Sequence, residues 1–291
     1  MLELKARAKV NLSLDVTGKR ADGYHFLRMV MQSVDIYDTL TFMRSKKPGI
    51  HLKTNVPSLV DEKKNLVWRA ADLLMKRFQI REGVDITLTK RIPAAAGLAG
   101  GSADAAVALQ GVSRLFGLNL SVQELCEYGV GLGADVPFCI VGGTALCEGV
   151  GEKITTLPPL PSCWIVLAKP TVGVSTPYAY RRLDEIGDYP HPDVESQVAA
   201  IRVGDLAGVI AAMGNVLEEV AAPEVPAIGQ IEDYLRQNGA MAAMMSGSGS
   251  TVFGIFSEKE DAQKACDGLE LNGLAKDVFL TVPFQEQEEH A

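Results

Sequence analysis

The 291-residue sequence contains no run approaching ~20 uninterrupted apolar residues, the length a membrane-crossing helix needs. Its start, Met1-Leu2-Glu3-Leu4-Lys5, has no apolar core of the kind a secretory signal carries, so a cytoplasmic protein is expected. Cysteine is scarce: Cys126, Cys139, Cys147, Cys163 and Cys266 are odd in number and show no Cys-x-x-Cys spacing. With His25, His51, His191 and His290 scattered, no structural zinc site emerges, and buried reduced thiols are expected. The longest basic cluster, Arg44-Ser45-Lys46-Lys47, adjoins Pro48-Gly49 and reads as a solvated turn. With a formal net charge of −8 and no other basic patch, a nucleic-acid-binding face is excluded. Internal repeats and low-complexity tracts are missing as well.

What remains suits a compact chain with room for about two domains of roughly 150 residues. Apolar residues make up 47% and charged residues 22%, a balance that argues against disorder. Ala6, Ala8, Val10, Leu12 and Leu14 alternate with Arg7, Lys9, Asn11 and Ser13, which predicts a half-buried strand. An Asp-Gly turn within Arg20 to His25 precedes strand candidates at 29–34 and 38–43. Apolar spacing predicts a helix over 65–78, and 84–88 reads as a short strand. Helices are expected behind Gly101 to Phe116 and from Ser121, where Glu124 completes a capping pattern. Pro158-Pro159-Leu160-Pro161 marks a joint. Beyond it, 164–168 reads as a strand, 194–220 and 225–237 as helical, and 240–245 and 251–256 as apolar runs. A helix from Glu258 and a strand over 278–282 close the pattern, which is α+β in both halves.

The segment Pro93, Ala94, Ala95, Ala96, Gly97, Leu98, Ala99, Gly100, Gly101, Ser102, Ala103 carries the strongest chemical signal. Three glycines in five residues allow close backbone approach, and the alanine-rich run behind them predicts a helix with Ser102 as N-cap. A bare loop entering a helix N-terminus is an anion cradle, most often for phosphate. Without a Gly-Lys-Ser/Thr ending it is no Walker A loop, and its glycine spacing misses the dinucleotide fingerprint. A plain strand-to-helix connector is the alternative reading.

Four further groups stand out. Lys9 and Asn11 share the polar face of the first strand, either as a solvated face or as a lysine set against an anion. Asp135, within Gly133-Ala134-Asp135-Val136-Pro137, is either a helix cap or a general base. Tyr24 and His25 offer a stacking ring beside a hydrogen-bonding ring, either to cap the core or to hold a nucleobase. Ser246-Gly247-Ser248-Gly249-Ser250 is either a flexible hairpin connection or a second bare-backbone loop.

In this order, Lys9-Val10-Asn11-Leu12, the loop from Pro93 to Ala103 and the Ser-Gly-Ser-Gly-Ser loop resemble the three motifs of the GHMP kinase superfamily. The resemblance runs from Ala8 to about Phe256. It implies a two-domain α+β fold: an N-terminal nucleotide-binding domain with a mixed sheet and helices over 1–157, and a C-terminal α+β domain over 158–291. The active site would lie in the cleft between them. It further implies ATP as co-substrate with Mg²⁺, the Pro93 to Ala103 loop around the ATP phosphates, and Asn65 near the nucleotide. Asp135 would accept the hydroxyl proton, with Lys9 keeping it ionised.

Arg20 to His25 and Gly133 to Pro137 resemble the members that phosphorylate the 2-hydroxyl of a cytidine-diphosphate-linked methylerythritol, on a route to isoprenoid precursors. Tyr24 and His25 would then grip the cytosine, with Asn11, Thr176, Gly247 and Ser248 near the substrate. An acceptor of homoserine or mevalonate type is a second reading, which Tyr24 and His25 oppose because a small acceptor has no base to stack. A catalytically silent ligand sensor is a third, opposed by the presence of both Lys9 and Asp135. The loop ends in one hydroxyl where many members have a serine-rich end, and no acidic residue matches the magnesium ligand some members use. Metal ligation therefore stays unassigned. Small molecules alone are expected as partners, with no nucleic acid or membrane, and oligomeric state is not legible.

Overall fold

The computed structural model of the protein describes residues 1–59 and 64–285; the polar composition of Gln285 to His290 predicts a frayed tail, and all of that segment but Gln285 lies outside the described residues. Two compact units make up the chain. The first takes Met1–Ala8, Ile36–Ala94 and Ala99–Val141; the second takes Lys9–Asp35, Ala95–Leu98 and the chain from Gly142 onward. Two long strands, β1 (Leu2–Lys19) and β2 (His25–Ser45), contribute residues to both.

Strand β1 departs from the half-buried strand its alternation predicts. Its apolar side is buried, but Lys9 is only 3% exposed and Asn11 and Ser13 are fully buried. The polar face is therefore interior, and these side chains need partners rather than water. Strand β2 joins the two strand candidates at 29–34 and 38–43 into one element. Residues 29–34 are all buried, whereas alternation resumes from Asp35, so the same strand shows two different patterns.

In the first unit, β3 (Ile50–Thr54), α1 (Leu66–Arg77), β4 (Gly83–Thr89), α2 (Gly100–Phe116), α3 (Val122–Val130) and α4 (Val136–Val141) follow. Strand β4 pairs antiparallel with residues 39–45 of β2 and parallel with β3, giving a mixed sheet. Helix α1 starts where the Asn65 side chain accepts from the Val67 N–H, and Lys76 and Arg77 sit favourably in its last turn. The Ser121/Glu124 capping box expected at the start of α3 is present. Helix α2 is buried almost all round, consistent with its small residues, and ends at Gly117 in the left-handed region. Phe42, Leu74, Ile86, Leu88 and Leu109 anchor the core between helices and sheet.

In the second unit, β5 (Thr144–Gly149) pairs antiparallel with residues 27–32 of β2 and with β6 (Lys153–Leu157). The chain continues through β7 (Trp164–Lys169), α5 (Thr176–Ile186), α6 (Val194–Val203), α7 (Leu206–Ala211), β8 (Gly214–Asn215) and α8 (Glu218–Glu224). It ends with α9 (Ala227–Gln237), β9 (Ala242–Met245), β10 (Val252–Phe256), α10 (Lys259–Leu271) and β11 (Asp277–Thr281). An antiparallel sheet in the order β11-β7-β10-β9 forms its centre. The helical stretch expected over 194–220 is broken into α6, α7 and the short β8, because Gly204 ends α6 at φ +72° and residues 214–215 pair with β1.

The five cysteines are free, three of them buried and two half-buried. Among the described residues, no helix is long and apolar enough to cross a membrane.

Gly111 faces the fully buried Phe42 ring: a Cβ there would lie 2.4 Å from it. Alanine gains about 1 kcal/mol in helix propensity over glycine, but overpacking costs about 1–3 kcal/mol. Gly111→Ala should therefore lower the unfolding free energy in a urea titration; an increase would show that the ring yields.

Candidate active site

The glycine-rich loop follows β4 through Lys90 to Ile92. Alternate residues in it, Ala95 at φ +49°, Gly97 at φ +72° and Ala99 at φ +55°, take the left-handed conformation. Left-handed residues recurring in a glycine-rich loop are one ingredient of the backbone N–H nests that bind anions. Two of the three are alanines, each at a cost on the order of 1–2 kcal/mol, and strain of this kind concentrates at ligand sites. The expected N-cap at Ser102 is corrected: Ala99 is the N-cap, makes no side-chain cap, and Ser102 lies inside the first turn. The left-handed Ala99 turns the chain directly into helix, so α2 begins at Gly100. Its first N–H groups, from Gly100, Gly101 and Ser102, are consequently left without a side-chain cap.

Within the second unit, the backbone joins three of the sequence motifs. Ser246 Oγ donates to the Gly97 carbonyl at 3.1 Å and accepts from the Asn11 N–H at 3.2 Å. The Lys9 N–H donates to the Leu98 carbonyl at 3.1 Å. A Cβ on Gly97 would stand 2.1 Å from the Ser246 carbonyl oxygen, so only glycine permits this approach. Asn215 Nδ2 ties down the loop by donating to the carbonyls of Met245 at 2.9 Å and Gly247 at 2.8 Å. Lys9 Nζ donates to Asn11 Oδ1 at 2.6 Å, and the hydroxyls of Thr176 and Ser248 meet at 2.7 Å.

The turn after β1 leaves Tyr24 65% exposed, while the His25 side chain is largely buried. His25 stacks on Tyr180, with centroids 4.9 Å apart, and its Nε2 lies 2.7 Å from Asp184 Oδ1. The other Asp184 oxygen accepts from Lys19 Nζ at 2.6 Å. Burial pushes the Asp184 carboxyl up, but the hydrogen bonds and charges of Lys19 and His25 outweigh it and hold the group below its ordinary value. Tyr180, Asp184 and Lys19 were not singled out from the sequence. The available signal was spacing, since Thr176, Tyr180 and Asp184 recur every four residues on α5.

In the first unit, the Asp135 carbonyl accepts from the Cys139 N–H at 3.0 Å and opens α4. The preceding turn lies beside the start of α2: a Cβ on Gly133 would be 3.6 Å from Ser102 Oγ. Asn65 is occupied at both ends of its amide, accepting from Val67 and donating to the Leu59 carbonyl at 2.9 Å. Its helix start still adjoins that of α2, where a Cβ on Gly101 would sit 3.5 Å from Leu66. Pro93, Ala94, Ala96 and Ala103 complete the loop without polar side chains.

Residues 65–143 match the model of the GHMP kinases N terminal domain, and residues 197–273 that of the GHMP kinases C terminal domain. A 4-diphosphocytidyl-2-C-methyl-D-erythritol kinase of Lachnospira eligens is 47% identical over 97% of this chain and 98% of its own. The chain belongs to the GHMP kinase family. A relative of the same name in Listeria monocytogenes is 45% identical, over 99% of this chain and 97% of its own. The crystal structure of a 4-(cytidine 5'-diphospho)-2C-methyl-D-erythritol kinase superposes with a TM-score of 0.81 at 32% identity, covering 98% of this chain and 100% of that one. This GHMP kinase is thus an ATP-dependent phosphotransferase with the α+β architecture of its family.

One half-buried acid of the kinase adjoins the Ser246 loop. Glu218 accepts from the Met245 N–H at 2.7 Å. Burial, with the charge of Glu232 adding to it, pushes the Glu218 carboxyl up to about 8. A carboxyl raised in the folded state favours folding most at low pH, and that contribution is lost as pH rises from the ordinary glutamate value through about 8. Unfolding free energy should therefore fall between about pH 5 and 8, and Glu218→Gln should flatten that fall. An unchanged slope in the variant would remove the assignment.

Proposed function

We propose that this kinase transfers the ATP γ-phosphoryl group to the 2-hydroxyl of 4-diphosphocytidyl-2-C-methyl-D-erythritol, on a route to isoprenoid precursors. Near-full-length identity to relatives of that name supports the reading. The observation that carries it is the Tyr24–His25 turn, where an exposed phenol ring stands next to a histidine oriented by Asp184. A pyrimidine needs both a face to stack on and a directed hydrogen-bonding partner. A homoserine- or mevalonate-type acceptor has neither requirement.

Phosphoryl transfer depends mainly on positioning and on stabilising negative charge. The loop from Pro93 to Ala103 cradles the ATP phosphates through its backbone N–H groups, so the ligand is held without bulky side chains in the way. Asp135 orients the acceptor hydroxyl and takes its proton, a role worth about 10²–10⁴-fold. Lys9 steadies the incoming phosphoryl group. Asn11, Thr176, Gly247 and Ser248 line the acceptor side, and Asn65 holds the start of α1 next to the nucleotide loop.

A Mg²⁺ ion accompanying ATP takes hard oxygen ligands, chiefly phosphates and water with one or two from protein. The Ser102 hydroxyl in the first turn of α2 is an oxygen of that kind. When bound, the ion neutralises charge on the phosphates. Among the described residues, no group of three or more His, Cys, Asp or Glu forms a metal cage. The same reading takes residues 1–157 as the ATP-binding domain and 158–291 as the C-terminal domain. It also takes the protein as cytoplasmic, supported by its five free cysteines.

Asp135→Ala should reduce kcat by about 10²-fold or more while ATP still binds, measured by phosphate transfer and by calorimetry. Turnover like that of the wild type would remove the base assignment. His25→Ala should mainly raise KM for the cytidine substrate. A shift confined to the KM for ATP would show that the turn serves another purpose.

A further inference from the structure

The neck of the phosphate loop is tied by charges that the chemistry above does not use. Asp38 on β2 is fully buried. Its Oδ1 accepts from the backbone N–H groups of Arg91 and Ile92, the latter at 2.8 Å, just where the chain enters the loop. Its Oδ2 accepts from the Lys90 ammonium, which also donates to Asp104 Oδ2 at 2.7 Å. Asp104 stands in α2, just beyond the loop's exit, and is 3% exposed. Gly100 makes the closure tight: a Cβ there would lie 2.9 Å from Ile92 Cγ2 and 3.3 Å from Lys90 Nζ. Entry and exit of the loop are thus joined through one ammonium ion held between two carboxylates.

The arrangement is costly for folding. Two carboxylates share one cation away from water, and Asp104 Oδ1 is buried with no hydrogen-bond partner. Burial pushes the Asp104 carboxyl up to about 7 against the pull of Lys90, with Asp38 adding to the rise. An apolar side chain at 104 would leave Lys90 still paired with Asp38, so no buried charge would go uncompensated, and it would remove the unpaired oxygen and one desolvated carboxylate. A costly buried group located at the neck of a ligand loop points to a role other than stability.

We propose that Asp104 is a positioning residue: through Lys90 and Asp38 it clamps the neck of the loop and so sets the N–H groups of Gly100, Gly101 and Ser102 for the nucleotide phosphates. The proposal rests on the loop's role as the ATP cradle. The clamp acts on nucleotide binding and leaves the acceptor alone, because its charged side chains bond one another and the N–H groups of Arg91 and Ile92 at the loop's neck.

The test compares the full-length wild type with Asp104→Leu and Asp104→Asn, using ATP titration calorimetry, both KM values and thermal melting at pH 8. Asp104→Leu should melt at or above the wild-type temperature, yet bind ATP about tenfold more weakly, with the acceptor KM within about twofold. Asp104→Asn keeps an oxygen for Lys90 and should restore most of the ATP affinity. ATP affinity in Asp104→Leu within about twofold of wild type would overturn the clamp. So would a variant that fails to fold, or one in which melting temperature and both KM values worsen together, since each assigns the aspartate to the fold. Wild-type protein that does not bind ATP would remove the cradle and the clamp with it. Failure to turn over the cytidine acceptor while ATP binds would leave the clamp standing and overturn only the choice of substrate.

Discussion

A helix that starts without a side-chain cap forgoes the bond that would otherwise stabilise its first turn. Helix α2 is in this position, with Ala99 as an uncapped N-cap and three donors at Gly100, Gly101 and Ser102. Stability lost at that end has to come from elsewhere. The buried alanine-rich face of α2, packed on Phe42 and Leu74, provides it through area removed from water. The left-handed backbone at Ala95, Gly97 and Ala99 leads into that uncapped start. A chain that caps the helix with Ser102 would relax the loop and close the donors to an anion.

Burial of polar groups along β1 follows the same logic in the second unit. Lys9, Asn11 and Ser13 are interior, and each is held by partners from distant segments or from its own strand. The Ser246 hydroxyl serves both Asn11 and Gly97, so motifs more than a hundred residues apart share one donor-acceptor atom. Buried polar networks of this kind are expensive when incomplete and rigid when satisfied. Rigidity is what a phosphoryl-transfer site needs, since its catalysis is mostly placement. The overall charge of −8 is no obstacle to anionic substrates, because local donors and single cations act over short range and net charge does not decide them.

Much of the local structure was legible in the chain. Alternation marked β1, the Ser121/Glu124 box marked α3, and the alanine-rich run behind the glycines marked α2. Local rules failed where neighbours distant in sequence intervene. The buried polar face of β1 could not be told from a solvated one, since Lys9 and Ser13 look alike in either setting until packing is known. The helix start at Gly100 escaped because a left-handed alanine is forced by the loop around it, and no local propensity announces it. Tyr180 and Asp184 escaped because their four-residue spacing on α5 acquires meaning only when His25 is seen against them.

The amino-acid sequence by itself determined the family, the α+β class and the segments able to offer bare backbone to an anion, because motif order and glycine placement are properties of the chain. The tertiary structure alone decided which groups serve those segments: Asn215 on the Ser246 loop, Asp184 on His25, and the Asp38–Lys90–Asp104 cluster at the loop neck. Such pairings depend on distances of about 3 Å between residues far apart in sequence, and hydrogen bonding and charge act over that range only once the fold is complete.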